Sequence, residues 1–331
     1  MYIDTHCHLE KAFYNNIDNV ILDNRNADVL KIIVSGCNKD EILEVVNYAL
    51  EYEDVYLTLG FHPDCATKVS EEDINLLRKI LVENEKVIGV GEIGLDYHYG
   101  KEDKILQLDL FAKQLKIAEE LNLPVVIHSR DATEDTINML KKFKVKGVIH
   151  CFSGSLETAK TYIKMGYYLG IGGVVTFKNS KLGTTLQSLS LDNIVLETDS
   201  PYLAPVPYRG SLNSSKNIPV IAEYIANLYD VSVQEVAEKT TENVKKIYPN
   251  ISLGTVYRNL SLLSDLGEIQ KLSSFGGADH FDGCVIPHCH FMCTECKRVL
   301  DLETEDMNEL APKAVKNFGG KIASCDIRFF G

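Results

Sequence analysis

The chain has nine histidines in 331 residues, and five of them stand against short apolar runs in a way that suits metal chemistry. His6 and His8 flank Cys7, so on an extended strand, where side chains alternate from face to face, both imidazoles point the same way and can reach one cation. His62 follows the run Val55 to Leu59, Glu92 follows Val87 to Gly91, His128 follows Val125 to Ile127, His150 follows Gly147 to Ile149, and Asp199 follows Asn193 to Leu196. Imidazole with carboxylate suits zinc, manganese or iron, and magnesium where carboxylate and water dominate. Glu92 offers two oxygens and can bridge two cations about 3.5 to 4 Å apart. His128, His150 and Asp199 complete the sites, so two divalent ions (Mg²⁺, Mn²⁺ or Zn²⁺) are expected. Such a pair polarises a phosphoryl or carbonyl oxygen and brings the pKa of a bound water toward about 7, which makes the reaction class hydrolysis. Asp199, able to hold both a metal and the attacking water, is the expected general base.

These residues are useful only if one scaffold brings them together. Three further apolar runs, Tyr2 to Thr5, Lys31 to Ser35 and Tyr167 to Ile171, bring the total to eight, with amphipathic stretches between. Leu106, Leu110, Leu115, Ala118 and Leu121 show the helical spacing of one such stretch. Strand then helix, eight times, predicts an α/β fold of the (β/α)₈ TIM-barrel type, complete by Tyr248 after a further helix from Val233 that covers the bottom or side. His6, His8, His62, Glu92, His128, His150 and Asp199 then open onto the carboxyl-terminal rim, the face that carries the active site in such barrels. Glu197 shares a strand face with Asp199 and reads either as a partner of the site or as a barrel-interior carboxylate. Arg130 reads as a phosphate contact or an ion-pair partner. The basic run Lys141 to Lys146 precedes a strand, so it belongs to the opposite face as a solvated helix end.

The balance of 34 basic against 47 acidic side chains gives a net charge of −13, which excludes a protein that coats nucleic acid by bulk electrostatics. It leaves room for a nuclease, because bound cations are the largest local charges in such a site. Neither a basic leader nor an apolar span is present, so a cytoplasmic location without membrane association is expected. Nine cysteines in that setting read as reduced thiols or metal ligands.

The segments Ile3-Asp4-Thr5-His6-Cys7-His8, Phe61-His62-Pro63, Gly91-Glu92-Ile93-Gly94-Leu95-Asp96-Tyr97, Ile127-His128-Ser129-Arg130, His150-Cys151-Phe152-Ser153-Gly154 and Glu197-Thr198-Asp199-Ser200-Pro201 together resemble the TatD family of metal-dependent deoxyribonucleases, within the amidohydrolase-like barrels. The resemblance covers residues 1–248 and includes Pro207-Tyr208-Arg209-Gly210 and Thr241-Glu242-Asn243. It implies a metal-dependent phosphodiesterase acting on single-stranded DNA from the 3′ end. His6, His8, Glu92, His128, His150 and Asp199 would hold the metals, and His62 would lie against the substrate. After Gly210 the family has a short Asn-x-Pro, whereas Ser211 to Asn217 here runs longer before Pro219, which puts the contacts of that loop in question.

At Pro249-Asn250 the strand-helix alternation stops, and the last 81 residues hold five of the nine cysteines. Residues 250–331 are therefore read as a second, small α+β module. Ser252 to Leu266 reads as a helix capped by Ser252, with Val256, Leu260 and Leu263 on one face and Gly267 as its stop. Glu268 to Ser274 and Ala278 to Phe281 read as a hairpin. The segment Ile251 to Leu260 resembles the recognition helix of the Fur/PerR family of metal-sensing repressors, and His280-Phe281-Asp282, His288-Cys289-His290-Phe291, Cys293-Thr294-Glu295-Cys296 and Val299-Leu300-Asp301 resemble its wing and metal-binding half. The resemblance implies a sensory metal site from Asp282, His288, His290 and Asp301, and half of a structural zinc site from Cys293 and Cys296. The family's second Cys-x-x-Cys would be expected beyond Gly331. The module reads as a fused, truncated remnant whose surviving activity is homodimerisation. Two alternatives stay beside the nuclease: an amidohydrolase or aminoacyl-tRNA esterase on the same metal site, and a Fur-like DNA-binding regulator acting through the tail.

Overall fold

The computed structural model describes residues 1–98, 100, 102–252, 260, 263–264, 266–272, 280–285, 288–293, 299–302 and 328–330. The chain divides into two compact units, Met1–Ser252 and Leu253–Gly331.

In the first unit every apolar run becomes a strand. The elements are β1 (Tyr2–Cys7), α1 (Ile17–Asn26), β2 (Val29–Gly36), α2 (Lys39–Glu51), β3 (Val55–Leu59), α3 (Glu71–Glu83), β4 (Val87–Asp96) and α4 (Lys104–Leu121). They continue with β5 (Val125–Arg130), α5 (Thr133–Leu140), β6 (Gly147–Ile149), α6 (Leu156–Lys164), β7 (Tyr168–Ile171), α7 (Leu182–Leu186), β8 (Ile194–Leu196), α8 (Ile218–Tyr229) and α9 (Val233–Ile247). Each strand pairs in parallel with the next, in the order β1 to β8. The two edges meet at their carboxyl ends. Cys7 bridges Ser200, the His8 N–H donates to the Ser200 carbonyl at 2.7 Å, and the Asp199 N–H donates to the His6 carbonyl at 3.0 Å. Eight parallel strands thus form a nearly closed barrel.

Local chemistry explains the helices. Asn38, Ser70, Ser155 and Ser232 each cap a helix by accepting from a backbone N–H of its first turn. On α3 the residues Ile74, Leu77 and Leu81 form the buried stripe that lies on the sheet. The strands are buried on both faces, as parallel strands covered by helices must be. Inside the amino-terminal end, Ile3, Ile33, Tyr56, Ile88, Val148 and Val195 form a separate core with Val244, Ile247, Tyr248 and Ile251. The end of α9 therefore plugs the bottom of the barrel, and the rim above is left to polar residues.

Two differences from the sequence reading have physical causes. The first unit runs on to Ser252 because Ile251 is fully buried in that plug and its carbonyl accepts from Lys31 Nζ, so the chain does not leave the barrel at Pro249. β4 extends to Asp96 because it keeps pairing with β5, with Gly94 opposite His128 and Asp96 opposite Arg130. That extension lifts Asp96 to the rim.

In the second unit, β9 (Gln270–Leu272) and β10 (His280–Asp282) form the antiparallel pair expected of the hairpin. β11 (Cys289–Met292) lies between β12 (Val299–Leu302), antiparallel, and β13 (Arg328–Phe330), parallel. Of the expected helix Ser252 to Leu266, Leu260, Leu263 and Ser264 are helical; residues 253–259, 261–262 and 265 lie outside the described residues.

Candidate metal centre

Six side chains expected at the rim converge there. His6 Nε2 and His8 Nε2 are 3.2 Å apart, while the Cys7 thiol between them turns away to the Ile33 carbonyl. Glu92 presents one oxygen to each half of the cluster. Its Oε2 lies 3.4 Å from His6 Nε2 and 4.0 Å from His8 Nε2, and its Oε1 lies 2.6 Å from His128 Nδ1 and 3.6 Å from His150 Nε2. Asp199 Oδ1 is 3.7 Å from His6 Nε2, 3.6 Å from His8 Nε2 and 3.7 Å from His150 Nε2. A cation bound at about 2.1 Å spaces neighbouring donors roughly 3 to 3.5 Å apart. Most of these lone pairs stand near that spacing, and the donor set fits a divalent metal ion.

Backbone strain and buried polar anchors hold the donors in place. A Cβ on Gly91 would come within 2.6 Å of the Val126 side chain, so only glycine lets β4 approach β5 closely enough to place Glu92. Asp199 itself has φ of 55°, an uncommon conformation for a residue with a side chain and one that clusters at functional sites. The fully buried Asp4 fastens the end of β8 to β1. Its Oδ1 accepts from the N–H groups of Thr198 (3.0 Å) and His6 (3.2 Å), and its Oδ2 accepts from the Thr198 hydroxyl at 2.5 Å. Burial pushes the Asp4 carboxyl up to about 7 against these hydrogen bonds.

Outer partners orient the imidazoles. Glu197, completely buried, lies 3.1 Å from His150 Nδ1 and accepts from the Cys151 N–H at 2.6 Å. Its carboxylate occupies space that a Cβ on Gly170 would take, with only 2.1 Å between them. Of the two readings of Glu197, the partner role fits. Asp96 does the same for His128, with Oδ2 3.2 Å from Nε2. A ligating histidine held by a carboxylate through its other nitrogen is the usual arrangement in metal sites. Without metal, burial opposes charge on His128 and His150, yet the surrounding carboxylates push them up to about 9 and about 10. Burial likewise opposes ionisation of Glu92, but His150, His6 and His128 hold its carboxyl well below the ordinary range. A metal bound there must displace any proton carried by the ring nitrogen that holds it.

His62 comes near the cluster without joining the six. Its ring lies 4.5 Å from that of His128, Asp64 Oδ1 is 2.9 Å from its Nδ1, and it can share a cation with Asp96 and His128. Arg130 is exposed at the end of β5, and the basic run Lys141 to Lys146 lies before β6 on the far face, as expected. Sequence reasoning singled out neither Asp96, Asp4, Asn213 nor Cys37. The first two stand within the quoted motifs, where a buried aspartate among apolar strand residues was the available signal. In the longer loop after Gly210, residues up to Leu212 are exposed and the chain is anchored at Asn213. Asn213, fully buried, donates to the Thr198 carbonyl at 3.0 Å and to the Tyr202 carbonyl at 2.7 Å. Cys37 Sγ sits 3.7 Å from Glu92 Oε2, with burial holding its thiol up at about 12.

In the second unit a further cluster forms. Asp282 Oδ2 lies 3.1 Å from His288 Nε2 and 3.3 Å from His290 Nε2, and Asp301 Oδ1 lies 3.6 and 3.7 Å from the same two nitrogens. These four side chains can hold one cation. Cys293 follows β11; Cys296 lies outside the described residues. No helix among the described residues is long and apolar enough to cross a membrane.

A parallel barrel with imidazoles and carboxylates gathered at its carboxyl rim defines the class as a metal-dependent hydrolase. The chain belongs to the TatD family: residues 3–249 match the family described as TatD related DNase. It is 39% identical over 253 residues to the uncharacterized metal-dependent hydrolase YabD of Bacillus subtilis, covering 75% of this chain and 99% of that one. The uncharacterized metal-dependent hydrolase YcfH of Escherichia coli is 36% identical, over 74% of this chain and 95% of its own. The crystal structure of the TatD homolog YJJV from Escherichia coli superposes with a TM-score of 0.71 at 31% identity, covering 75% of this chain and 98% of that chain. Residues 214–330 match the ferric uptake regulator family. That match begins well before Asn250 and takes in α8 and α9. Their apolar residues Ile218, Ile221, Ala222, Ile225, Val236 and Ala237 are buried in the barrel core.

Proposed function

We propose that the barrel is a deoxyribonuclease, a phosphodiesterase that uses two divalent cations (Mg²⁺, Mn²⁺ or Zn²⁺) and shortens single-stranded DNA from the 3′ end. The observation that carries this reading is the position of Glu92, with one oxygen toward His6 and His8 and the other toward His128 and His150. Cations held there supply charge neutralisation at the phosphoryl group and a water acidic enough to attack near neutral pH. The protein's own residues do the rest. Asp199, held below the ordinary carboxylate range by His150, His8 and His6 although burial pushes the other way, stays ionised and takes the proton of the attacking water. Glu197 and Asp96 keep His150 and His128 turned toward the centre. His62, at the edge of the cluster, meets the substrate.

Three substrates distinguish this reading from its alternatives on the same site. Metal-stripped protein resupplied with each cation is offered an end-labelled single-stranded oligonucleotide and, separately, an aminoacyl-tRNA ester and an N-acyl amide. Progressive loss of 3′ nucleotides with the other two intact is the expected result. Turnover of the ester or amide alone would move the enzyme to carbonyl substrates.

The tail supports a second, separate role. We infer that Asp282, His288, His290 and Asp301 hold a metal in a Fur-like module that self-associates to a homodimer, with Cys293 and Cys296 contributing to a structural zinc site. If the module also reads DNA, binding weakens steeply with salt as phosphate contacts release counterions, whereas barrel catalysis depends on which cation is present.

A further inference from the structure

The metal centre accounts for hydrolysis but not for the aromatic, apolar character of its mouth. Phe13 and Tyr202 are 38% and 47% exposed, and they pack edge to face with ring centroids 5.6 Å apart at 76°. The Tyr202 ring centroid is 6.4 Å from that of His8. Both rings are therefore next to the candidate metal ligands and open to solvent.

They are also fixed. Phe13 lies in the turn that leaves His8, with its N–H donating to the Glu10 carbonyl at 3.0 Å. The Tyr202 N–H donates to the Asp199 carbonyl at 2.9 Å, and its carbonyl accepts from the buried Asn213 amide at 2.7 Å. Large rings held rigidly at a water-exposed mouth lose little freedom when a flat partner covers them, which is the condition for useful stacking. Arg209, on the loop that follows Tyr202, lies 4.3 Å over the Phe177 ring.

We propose that Phe13 and Tyr202 form a stacking platform for the nucleobase next to the scissile phosphate. The substrate is then a strand whose bases are free to unstack, not duplex DNA or a simple phosphodiester. Every base has a flat face, so such a platform favours single strands without selecting sequence. The proposal rests on the phosphodiesterase reading above and names what that site recognises besides phosphate.

The test uses the full-length, metal-loaded protein and 5′-labelled oligonucleotides that differ only in carrying a base or an abasic tetrahydrofuran at the terminal and penultimate 3′ positions. Wild type, Phe13→Ala, Tyr202→Ala and Tyr202→Phe are compared. Wild type and Tyr202→Phe are expected to prefer the base-bearing strand by roughly tenfold in kcat/KM, from the usual worth of one base on one aromatic ring. Both alanine variants lose that preference while cleaving the abasic strand at the wild-type rate. Equal cleavage of both strands by wild type overturns the platform and leaves the nuclease standing. A preference that survives in both alanine variants also overturns it, and if those variants instead change only self-association in sedimentation, the rim is a protein interface. Cleavage of neither strand by wild type removes the phosphodiesterase reading, and the platform with it.

Discussion

Glu197 illustrates how a residue outside the direct ligand set can control the centre. Its carboxylate lies 3.1 Å from His150 Nδ1, behind the ring and completely buried, and we propose that this ion pair sets which nitrogen of His150 faces the rim. Glu197→Gln keeps the shape but weakens the hold on that imidazole. A loss of about 10- to 100-fold in metal affinity is expected, with the folded barrel retained. Titration of the metal-stripped variant with Zn²⁺ against a competing chelator measures it, and an unchanged affinity would assign Glu197 to packing alone. At this scale the sequence was most informative for side chains at strand ends, where type and place together imply chemistry. Asp96 escaped notice because its role depends on β4 pairing with β5 beyond Glu92, which residue types do not reveal. Asn213 escaped because its carbonyl partners at Thr198 and Tyr202 are brought to it by the loop's path.

The elements were legible because each carries its own signal: β-branched runs for buried strands, capping residues and apolar stripes for helices. α3 shows how local these signals are. Ser70 and Asp73 form a reciprocal capping box, and Lys39 reaches across from α2 to Asp73 at 2.7 Å. The Lys39 ammonium first, then the Ser70 N–H and hydroxyl, hold the Asp73 carboxyl down at about 2, against about 3.9 in an unfolded chain. A carboxyl depressed on folding stabilises the native state above its unfolded value, and that contribution fades as pH falls from about 4 through about 2. Asp73→Asn removes the titrating group, so its urea-unfolding midpoint should lie below wild type at pH 6 and converge with it near pH 2. Parallel curves at all pH values would mean that the cap and ion pair contribute nothing through charge. Where strand ends fall was less legible, since β4 and β5 extend by mutual pairing and not by composition.

For the whole molecule, the barrel was readable from eightfold alternation, and the plug at its base explains why the first unit ends at Ser252 instead of at Pro249. The three-stranded sheet of the second unit was not anticipated. Its strands are short, and β13 joins β11 from far along the chain, a pairing that no local pattern encodes. All six candidate ligands of the catalytic centre, and the partners that orient them, belong to Met1–Ser252. Removal of residues 253–331 is therefore expected to leave the hydrolytic rate within about twofold and to abolish metal binding by the Asp282, His288, His290 and Asp301 cluster, as read by metal analysis of the purified forms. Loss of hydrolysis on truncation would make the tail part of the enzyme.

The most direct test of the central claim follows an end-labelled single-stranded oligonucleotide with metal-stripped protein, before and after adding Mg²⁺, Mn²⁺ or Zn²⁺, beside Glu92→Gln. Stepwise shortening that requires added cation and falls at least about a thousandfold in Glu92→Gln is the predicted result, because that side chain faces both halves of the centre. Shortening that persists in the metal-stripped protein, or survives in Glu92→Gln, would contradict a cation-dependent centre built around Glu92.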